Sequence, residues 1–206
     1  MAVVVKKYWD TTLMWLSILF LIAYSYPAFF QTISPNEKRL LNTIQLVAWL
    51  AFVIDYALSI FKSENKIKYI KKHPLDLLAI TLPFLRPLRL LRFISFGTLV
   101  FDRVNLSKSI SVSAKVVITT LFLTYLAAVE ITLTERESAS ASIQNFGDGL
   151  WWAMTTLTTV GYGDLYPTTT QGKFIAVGLM IAGICMLSVI SATIVAWFVK
   201  FSEKQA

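Results

Sequence analysis

The stretch that decides the fold is Asn145-Phe-Gly-Asp-Gly-Leu-Trp-Trp-Ala-Met-Thr-Thr-Leu-Thr158, followed at once by Thr159-Val-Gly-Tyr-Gly-Asp164. Its first part has about 14 residues, which is too short for a helix that spans a bilayer but suits a re-entrant helix. Non-helical backbone at membrane depth is tolerated only where it is buried in protein or lines water, because unpaired carbonyls in lipid cost several kcal/mol. Residues 159–163 are therefore predicted to face a pore.

Two glycines at alternate positions, Gly161 and Gly163, give this segment unusual backbone freedom. Because glycine readily adopts positive φ, successive carbonyl groups can turn to the same side of the chain. Rings of such carbonyls replace the water around a dehydrated cation, and the Thr159 hydroxyl can add an oxygen at the inner end. Hard, neutral oxygen ligands suit an alkali cation and not a transition metal. One chain cannot encircle an ion in this way, so the site requires a symmetric assembly.

The composition of the chain indicates a membrane protein. Of its 206 residues, 56% are hydrophobic and 15% are charged, which is not the balance of a soluble domain. Because Cys185 and His73 are the only cysteine and histidine, we expect no thiolate metal cluster, no Cys/His nucleophile pair, no enzyme activity and no organic cofactor. The net charge of +7 comes from short segments between apolar runs, so nucleic acid is not an expected partner.

Four apolar runs have the roughly 20 residues that a helix needs to cross a bilayer core. They are residues 11–30, 40–61, 112–133 and 173–199. A fifth segment, 74–100, contains prolines and arginines, and hydropathy alone leaves open whether it crosses once or twice. Two crossings would place 12 basic residues on one side and 4 on the other, an asymmetry typical of cytoplasmic loops. We therefore predict a multi-pass protein of the cell membrane with six crossings and cytoplasmic N- and C-termini.

The segment Thr158-Thr-Val-Gly-Tyr-Gly-Asp164 resembles the signature sequence of potassium channels. Asp148-Gly-Leu-Trp-Trp152 is similar to the pore helix of their voltage-gated branch. The resemblance implies a homotetramer with a central four-fold axis and potassium as the permeant ion. It implies a selectivity filter formed by Thr159, Val160, Gly161, Tyr162 and Gly163, with potassium bound at the first four of these residues.

The same resemblance implies side chains that support the filter. Trp151 and Trp152 would form an aromatic cuff with Tyr162, and Trp151 would form a hydrogen bond with Asp164. In the last helix, Gly183 lies where the family has its gating hinge. Close packing between helices is an equally good explanation for that glycine, because small residues are common at membrane helix interfaces.

Three arginines recur at every third position of the 74–100 segment: Arg86, Arg89 and Arg92. An arginine in an apolar span is costly unless it meets water or a carboxylate, and Asp55 and Asp76 are natural counter-ions for this stripe. The alternative is an interfacial helix whose arginines bind lipid phosphates.

The acids belong to a set that resembles the charge-transfer centre of voltage sensors. In that set Phe52 is an aromatic plug, Asp55 follows one turn later, and Asp76 begins the third helix. The resemblance implies a compact, prokaryotic-type, voltage-gated potassium channel whose fourth helix carries the sensing arginines. A competing hypothesis is a potassium-selective pore with a vestigial sensor that does not gate it. A six-helix transporter would usually show internal repeats, and we see no repeated halves.

The expected fold is an all-α membrane protein with three parts. A four-helix voltage-sensor-like bundle, 1–101, precedes an interfacial linker helix, 102–112. The pore domain, 113–206, contains an outer helix, the re-entrant pore helix, the filter and an inner helix. About ten residues precede the first span and about seven follow the last, so we expect no soluble ligand-binding domain. The expected partners are further copies of the chain and membrane lipids.

Three acids stand near the outer end of the 112–133 span: Glu130, Glu135 and Glu137. They could raise the local cation concentration at a pore mouth. We interpret them as a solvated acidic turret.

Overall fold

A computed structural model of the chain describes residues 2–63, 65–72, 108–138 and 140–203. These residues form six α-helices: α1 (Ala2–Phe29), α2 (Pro35–Lys62), α3 (Lys66–Lys72), α4 (Lys108–Glu135), α5 (Phe146–Leu157) and α6 (Thr170–Glu203). The chain divides into two compact units, Met1–Phe93 and Ile94–Ala206. Helices α1 to α3 belong to the first unit, and α4 to α6 belong to the second.

Four of these helices are long and apolar enough to cross a membrane. The candidate spans are Thr11–Phe29, Pro35–Phe61, Ser113–Glu135 and Thr170–Val199. They confirm a multi-pass membrane protein and agree with the four runs predicted from hydropathy. The two further crossings that we predict within 74–100 lie outside the described residues, as does most of the predicted linker.

In the first unit, α1 packs against α2. Small and aromatic side chains are buried here, among them Ala23, Ala48 and Phe20. Helix α2 begins at a capping box. The Ser34 hydroxyl accepts a hydrogen bond from the Glu37 amide, and the Glu37 carboxylate accepts one of 2.8 Å from the Ser34 amide. This reciprocal pair satisfies two amides that the first turn of a helix leaves without partners.

Pro27 lies inside α1. Proline has no N–H, so the carbonyl four residues earlier, that of Ala23, loses its usual helical donor. The Gln45 side chain of α2 donates a hydrogen bond of 3.2 Å to this carbonyl. A polar residue in an apolar span thereby satisfies the group that the proline exposes, and it links the two helices.

The second unit is a three-helix arrangement in which α4, α5 and α6 all contact one another. Its core lies where the helices meet, and it consists of Ala128, Ile131, Ile143, Trp152, Ala153, Leu157, Ala176, Leu179 and Met186. Helix α4 begins at Lys108, so residues 108–112, which the sequence assigned to the linker, continue directly into the outer helix.

The short helix α5 has a well-defined start and a close fit to α4. The Asn145 side chain caps it by accepting a hydrogen bond of 3.0 Å from the Asp148 amide, as expected for an N-cap residue. A Cβ atom at Gly149 would lie 2.7 Å from the carbonyl oxygen of Ala128. Glycine therefore allows the first part of α5 to approach the α4 backbone closely.

Candidate functional site

The backbone of the segment after α5 alternates between two conformations. φ is +60° at Thr159, +53° at Gly161 and +78° at Gly163, whereas Val160 and Tyr162 between them do not have positive φ. The positive φ that we predicted for the two glycines is confirmed. Alternating left-handed and ordinary conformations turn successive carbonyls toward one side of the chain, which is the geometry of a carbonyl-lined ion path.

Thr159 adopts the left-handed conformation without being a glycine. Positive φ is a genuine outlier for a β-branched residue, and such conformations cost about 1–3 kcal/mol each. Strain of this kind persists only where neighbouring contacts enforce it. It therefore indicates that the position of Thr159 is held by the structure around it.

Hydrogen bonds from the segment to the end of α5 supply this restraint. The amides of Val160 and Gly161 donate to the same acceptor, the Thr155 carbonyl, at 3.0 and 3.1 Å, and the Thr159 amide donates to the Thr156 carbonyl at 3.1 Å. These bonds use carbonyls that the last turn of a helix leaves without partners. The segment is thus attached to the C-terminal end of α5.

Every residue from 158 to 164 is exposed on the single chain. The exposed fraction reaches 55% at Val160 and 66% at Tyr162. Non-helical backbone is tolerated at membrane depth only where it is buried in protein or lines water. The single chain does not bury this segment.

An aromatic pair stands beside the segment. The ring of Trp151 stacks on that of Tyr162 with centroids 5.5 Å apart and planes nearly parallel. The Trp151 Nε1 also donates a hydrogen bond of 2.8 Å to the Asp164 carboxylate. The bond that the resemblance implied between Trp151 and Asp164 is therefore present within one chain. Trp152 lies in the core of the second unit, and its place in a cuff stays a prediction.

The carboxylate of Glu135 joins the end of α4 to the start of α6. It accepts hydrogen bonds from the amides of Thr168 and Thr169, at 2.8 and 3.0 Å, and from their hydroxyls, at 2.6 and 2.5 Å. The Glu135 side chain is completely buried. Four donors satisfy the carboxylate, as a buried charge requires.

The surroundings of this carboxylate leave no room for a larger neighbour. Thr169 also caps α6, since its hydroxyl accepts a hydrogen bond of 3.0 Å from the Gly172 amide. A Cβ atom at Gly172 would collide with the Glu135 carboxylate.

The interpretation of Glu135 as part of a solvated acidic turret was wrong, because its side chain is completely buried. Glu137 is exposed, as that interpretation requires.

A second link holds the loop that follows the segment. The Ser142 hydroxyl donates to the Tyr166 carbonyl at 2.9 Å and accepts from the Tyr166 amide at 3.1 Å. Ser142 precedes α5 and Tyr166 follows the segment, so one side chain connects the two ends of the re-entrant region.

Gly183 on α6 packs against the C-terminal end of α5. A Cβ atom at this glycine would be 2.5 Å from the Leu157 carbonyl oxygen, and α6 continues through the position without interruption. The structure thus gives Gly183 a packing role. Its predicted role as a gating hinge stays a prediction.

The predicted charge-transfer residues are only partly within the described ranges. Phe52 is buried on α2, and Asp55, one turn later, is half-buried. Asp76, Arg86, Arg89 and Arg92 lie outside the described residues. The roles assigned to this set stay predictions.

Three features of the structure were not predicted from the sequence. The strain at Thr159 gave no signal, because threonine rarely adopts positive φ. The burial of Glu135 depends on partners 33 and 34 residues away, although a Thr-Thr pair before an apolar run is a recognisable N-cap. The bond between Gln45 and Ala23 could have been found from the sequence. Pro27 in the first span leaves the Ala23 carbonyl without a helical donor, and Gln45 is a polar residue in the next span.

Several known proteins are similar to this chain. Residues 111–200 match a family described as "Ion channel". A relative from Aeropyrum pernix, named voltage-gated potassium channel, is 30% identical over a 184-residue alignment covering 78% of this chain and 61% of that protein. The calcium-gated potassium channel TvoK of Thermoplasma volcanium is 40% identical over 65 residues, 32% of this chain and 19% of that protein. The human potassium voltage-gated channel subfamily A member 10 is 35% identical over 75 residues, 36% of this chain and 15% of that protein.

The chain thus spans about three fifths of the first of these relatives and less than a fifth of the other two. The matched region, 111–200, contains α5, the segment after it and nearly all of α4 and α6. Such relatives agree with the expectation that the chain is not an enzyme. On this evidence residues 111–200 form a pore domain of the ion-channel family, and the chain is similar to proteins named potassium channels.

Proposed function

We propose that four copies of this chain assemble around a central axis and conduct potassium through a filter formed by residues 159–163. The observation that carries this proposal is the alternation of φ along the segment, with positive values at Thr159, Gly161 and Gly163. A chain with this alternation presents stacked carbonyl oxygens, and four such chains would surround a dehydrated cation. The names of the relatives support potassium as that cation.

The residues of the chain have distinct parts in this proposal. The carbonyl oxygens of Thr159, Val160, Gly161 and Tyr162, with the Thr159 hydroxyl at the inner end, replace the hydration shell of potassium. The C-terminal end of α5, near Thr158, carries a partial negative charge that favours a cation in the cavity below. The bonds from the segment to α5 keep these oxygens in place.

The exposed surface of the pore domain supports an assembly of several copies. Apolar side chains of α6 are widely exposed on the single chain, including Phe174 at 74% and Ile181 and Ile184 at 59% each. Lipid covers part of such a surface in a membrane, but lipid cannot cover the polar backbone of the filter. A closed ring of identical chains would cover the filter backbone and would also bury part of the apolar surface of α6.

The proposal is tested by reconstituting the purified full chain in planar bilayers, with potassium on one side and sodium on the other. We expect a reversal potential close to the potassium equilibrium value. Current that does not distinguish the two cations would overturn the proposed filter. Crosslinking in detergent, followed by mass determination, should give species up to four chains and none larger.

We further propose that membrane voltage gates this pore through Arg86, Arg89 and Arg92. The relative from Aeropyrum pernix, which carries the name voltage-gated, supports this. Moving one charge through the membrane field is worth about 2.3 kcal/mol per 100 mV, so two arginines from each of four chains would supply roughly 18 kcal/mol per 100 mV. This energy is sufficient to bias a pore strongly.

A double neutralisation tests the voltage proposal. Arg89→Gln with Arg92→Gln should make the conductance–voltage curve shallower, because less charge crosses the field. The matched control is Lys38→Gln with Arg39→Gln, which removes the same charge near the start of α2. An unchanged curve in the first variant would favour a pore whose sensor no longer gates it, whereas equal changes in both would indicate a surface-charge effect.

A further inference from the structure

The short helix α3 carries a dense group of lysines directly after an apolar span. Residues 62–72 contain five lysines and one acid, Glu64. The candidate span of α2 ends at Phe61, and α3 begins at Lys66. The Asn65 side chain starts the helix by accepting a hydrogen bond of 3.1 Å from the Lys68 amide. The lysines of α3 thus follow the end of the span within eleven residues.

One side of α3 packs against α2, and side chains on its other sides are exposed. The ring of Tyr69 lies 6.0 Å from that of Tyr56, which is buried on α2. Ile67 and Lys71 are one turn apart on nearly the opposite side of the helix from Tyr69. Lys66, Lys68 and Lys71 are all exposed.

Two large apolar side chains are exposed among these lysines. Phe61 is 75% exposed and Ile67 is 69% exposed. The Lys66 Nζ lies 5.6 Å from the centre of the Phe61 ring, so an aromatic face and an ammonium group share one surface. An apolar side chain surrounded by lysines at the end of a span is typical of a surface that lies in the headgroup region of a bilayer.

We propose that α3 and the last turn of α2 form a docking surface for anionic phospholipids in the leaflet where α2 ends. Lys66, Lys68 and Lys71 contact the phosphate groups, while Phe61 and Ile67 lie against the upper parts of the acyl chains. Charge complementarity selects anionic over zwitterionic headgroups, because a lysine near an anionic membrane surface gains binding energy that depends on the surface charge. This surface uses none of the proposed filter residues and does not depend on ion conduction.

The test uses the purified full chain in neutral detergent and measures binding of dioctanoyl phosphatidylglycerol and dioctanoyl phosphatidylcholine by native mass spectrometry. The variant is Lys66→Gln, Lys68→Gln and Lys71→Gln together. The matched control removes the same charge elsewhere, through Lys38→Gln, Arg39→Gln and Lys173→Gln. We expect the first triple variant to lose phosphatidylglycerol affinity by about fivefold per lysine, roughly a hundredfold in all, at low salt. The control should retain its affinity.

Two further variants separate the proposed contacts from misfolding. Replacing the same three lysines by arginine keeps the charge and should keep the affinity. Ile67→Ser should weaken the binding of both lipids without changing the preference between them. In 1 M salt, where screening acts over about 3 Å, the preference for phosphatidylglycerol should largely disappear.

Equal losses in the two glutamine triples would show that total charge governs binding, and would overturn the site. Equal binding of the two lipids by the unaltered chain would also overturn it. Because no current is measured, neither outcome bears on potassium conduction.

Discussion

The side-chain amide of Gln45 donates a hydrogen bond of 3.2 Å to the carbonyl of Ala23, the carbonyl that Pro27 deprives of its helical donor. We predict that Gln45→Leu destabilises the first unit by about 1 kcal/mol, because a carbonyl in an apolar setting is left without this donor. In a Pro27→Ala background residue 27 regains an N–H, so the same substitution should then cost much less. Reversible unfolding in mixed micelles measures the four variants of this cycle.

If Gln45→Leu lowers the free energy of unfolding equally with Pro27 and with Pro27→Ala, the bond from Gln45 to Ala23 does not compensate for the proline. Thr43→Val is a suitable control. It removes a side-chain hydrogen bond of 2.9 Å within α2, to the carbonyl of Arg39, and its cost should not change with Pro27→Ala.

Gly161→Ala should abolish potassium-selective current. A Cβ atom at this glycine would meet no atom within 4 Å in the single chain, but φ is +53°. The penalty therefore comes from the backbone, because an alanine in the left-handed conformation costs roughly 1–2 kcal/mol per chain. The chain relieves this cost when residue 161 changes to another conformation, and the carbonyls are then no longer aligned.

Gly178→Ala is the matched control for this prediction. It adds the same methyl group, also with no atom within 4 Å, in the helical part of α6. Selectivity should survive there, and bilayer recordings compare the two variants. Selective current from Gly161→Ala would contradict the role assigned to positive φ.

Trp151→Phe should shorten the time for which the pore stays conductive. The ring can still stack on Tyr162, but the hydrogen bond of 2.8 Å to Asp164 is lost. Bonds to a charged group contribute about 1.5–3 kcal/mol. Single-channel open times should fall most for this variant, less for Asp164→Asn, and no further when the two are combined.

Trp197→Phe controls for the loss of an indole elsewhere, since Trp197 packs against Phe198 and Phe201 of its own helix. Additive effects of Trp151→Phe and Asp164→Asn would mean that the two side chains act independently.

Glu135→Gln should destabilise the pore domain by about 3 kcal/mol. The carboxylate accepts four hydrogen bonds from Thr168 and Thr169. An amide has one acceptor oxygen, and its NH₂ group would face donors instead of acceptors. Thermal loss of the assembled species in detergent measures the change.

Glu137→Gln removes the same charge from an exposed position two residues away and should leave stability within about 0.5 kcal/mol of the unaltered chain. Gly172→Ala should act in the same direction as Glu135→Gln, because the added methyl group collides with the carboxylate. Equal stability of the two glutamine variants would show that the buried carboxylate is not needed.

Much of the architecture could be predicted from the sequence because it depends on local properties. Hydropathy located the four spans, and the pore helix, predicted over 145–158, is found at Phe146–Leu157 between the caps Asn145 and Thr158. The positive φ of Gly161 and Gly163 followed from the freedom of glycine alone.

What could not be predicted depends on partners distant in the sequence. Glu135 follows an apolar run and precedes a polar loop, which is the usual setting of a solvated acid. Only the fold brings Thr168 and Thr169 to it and buries it. Thr159 is similar, since its left-handed conformation is imposed by the end of α5 and is contrary to its own preference.

The exposure of the filter on the single chain has a genetic consequence. If each of four chains contributes one wall of the proposed ion path, one altered wall is enough to disturb every ring of carbonyls that it enters. A cell that makes both the normal chain and a filter variant such as Gly161→Ala would then contain mostly mixed assemblies. Such a variant would behave as dominant, whereas a variant that prevents the chain from folding, and so from joining any assembly, would behave as recessive.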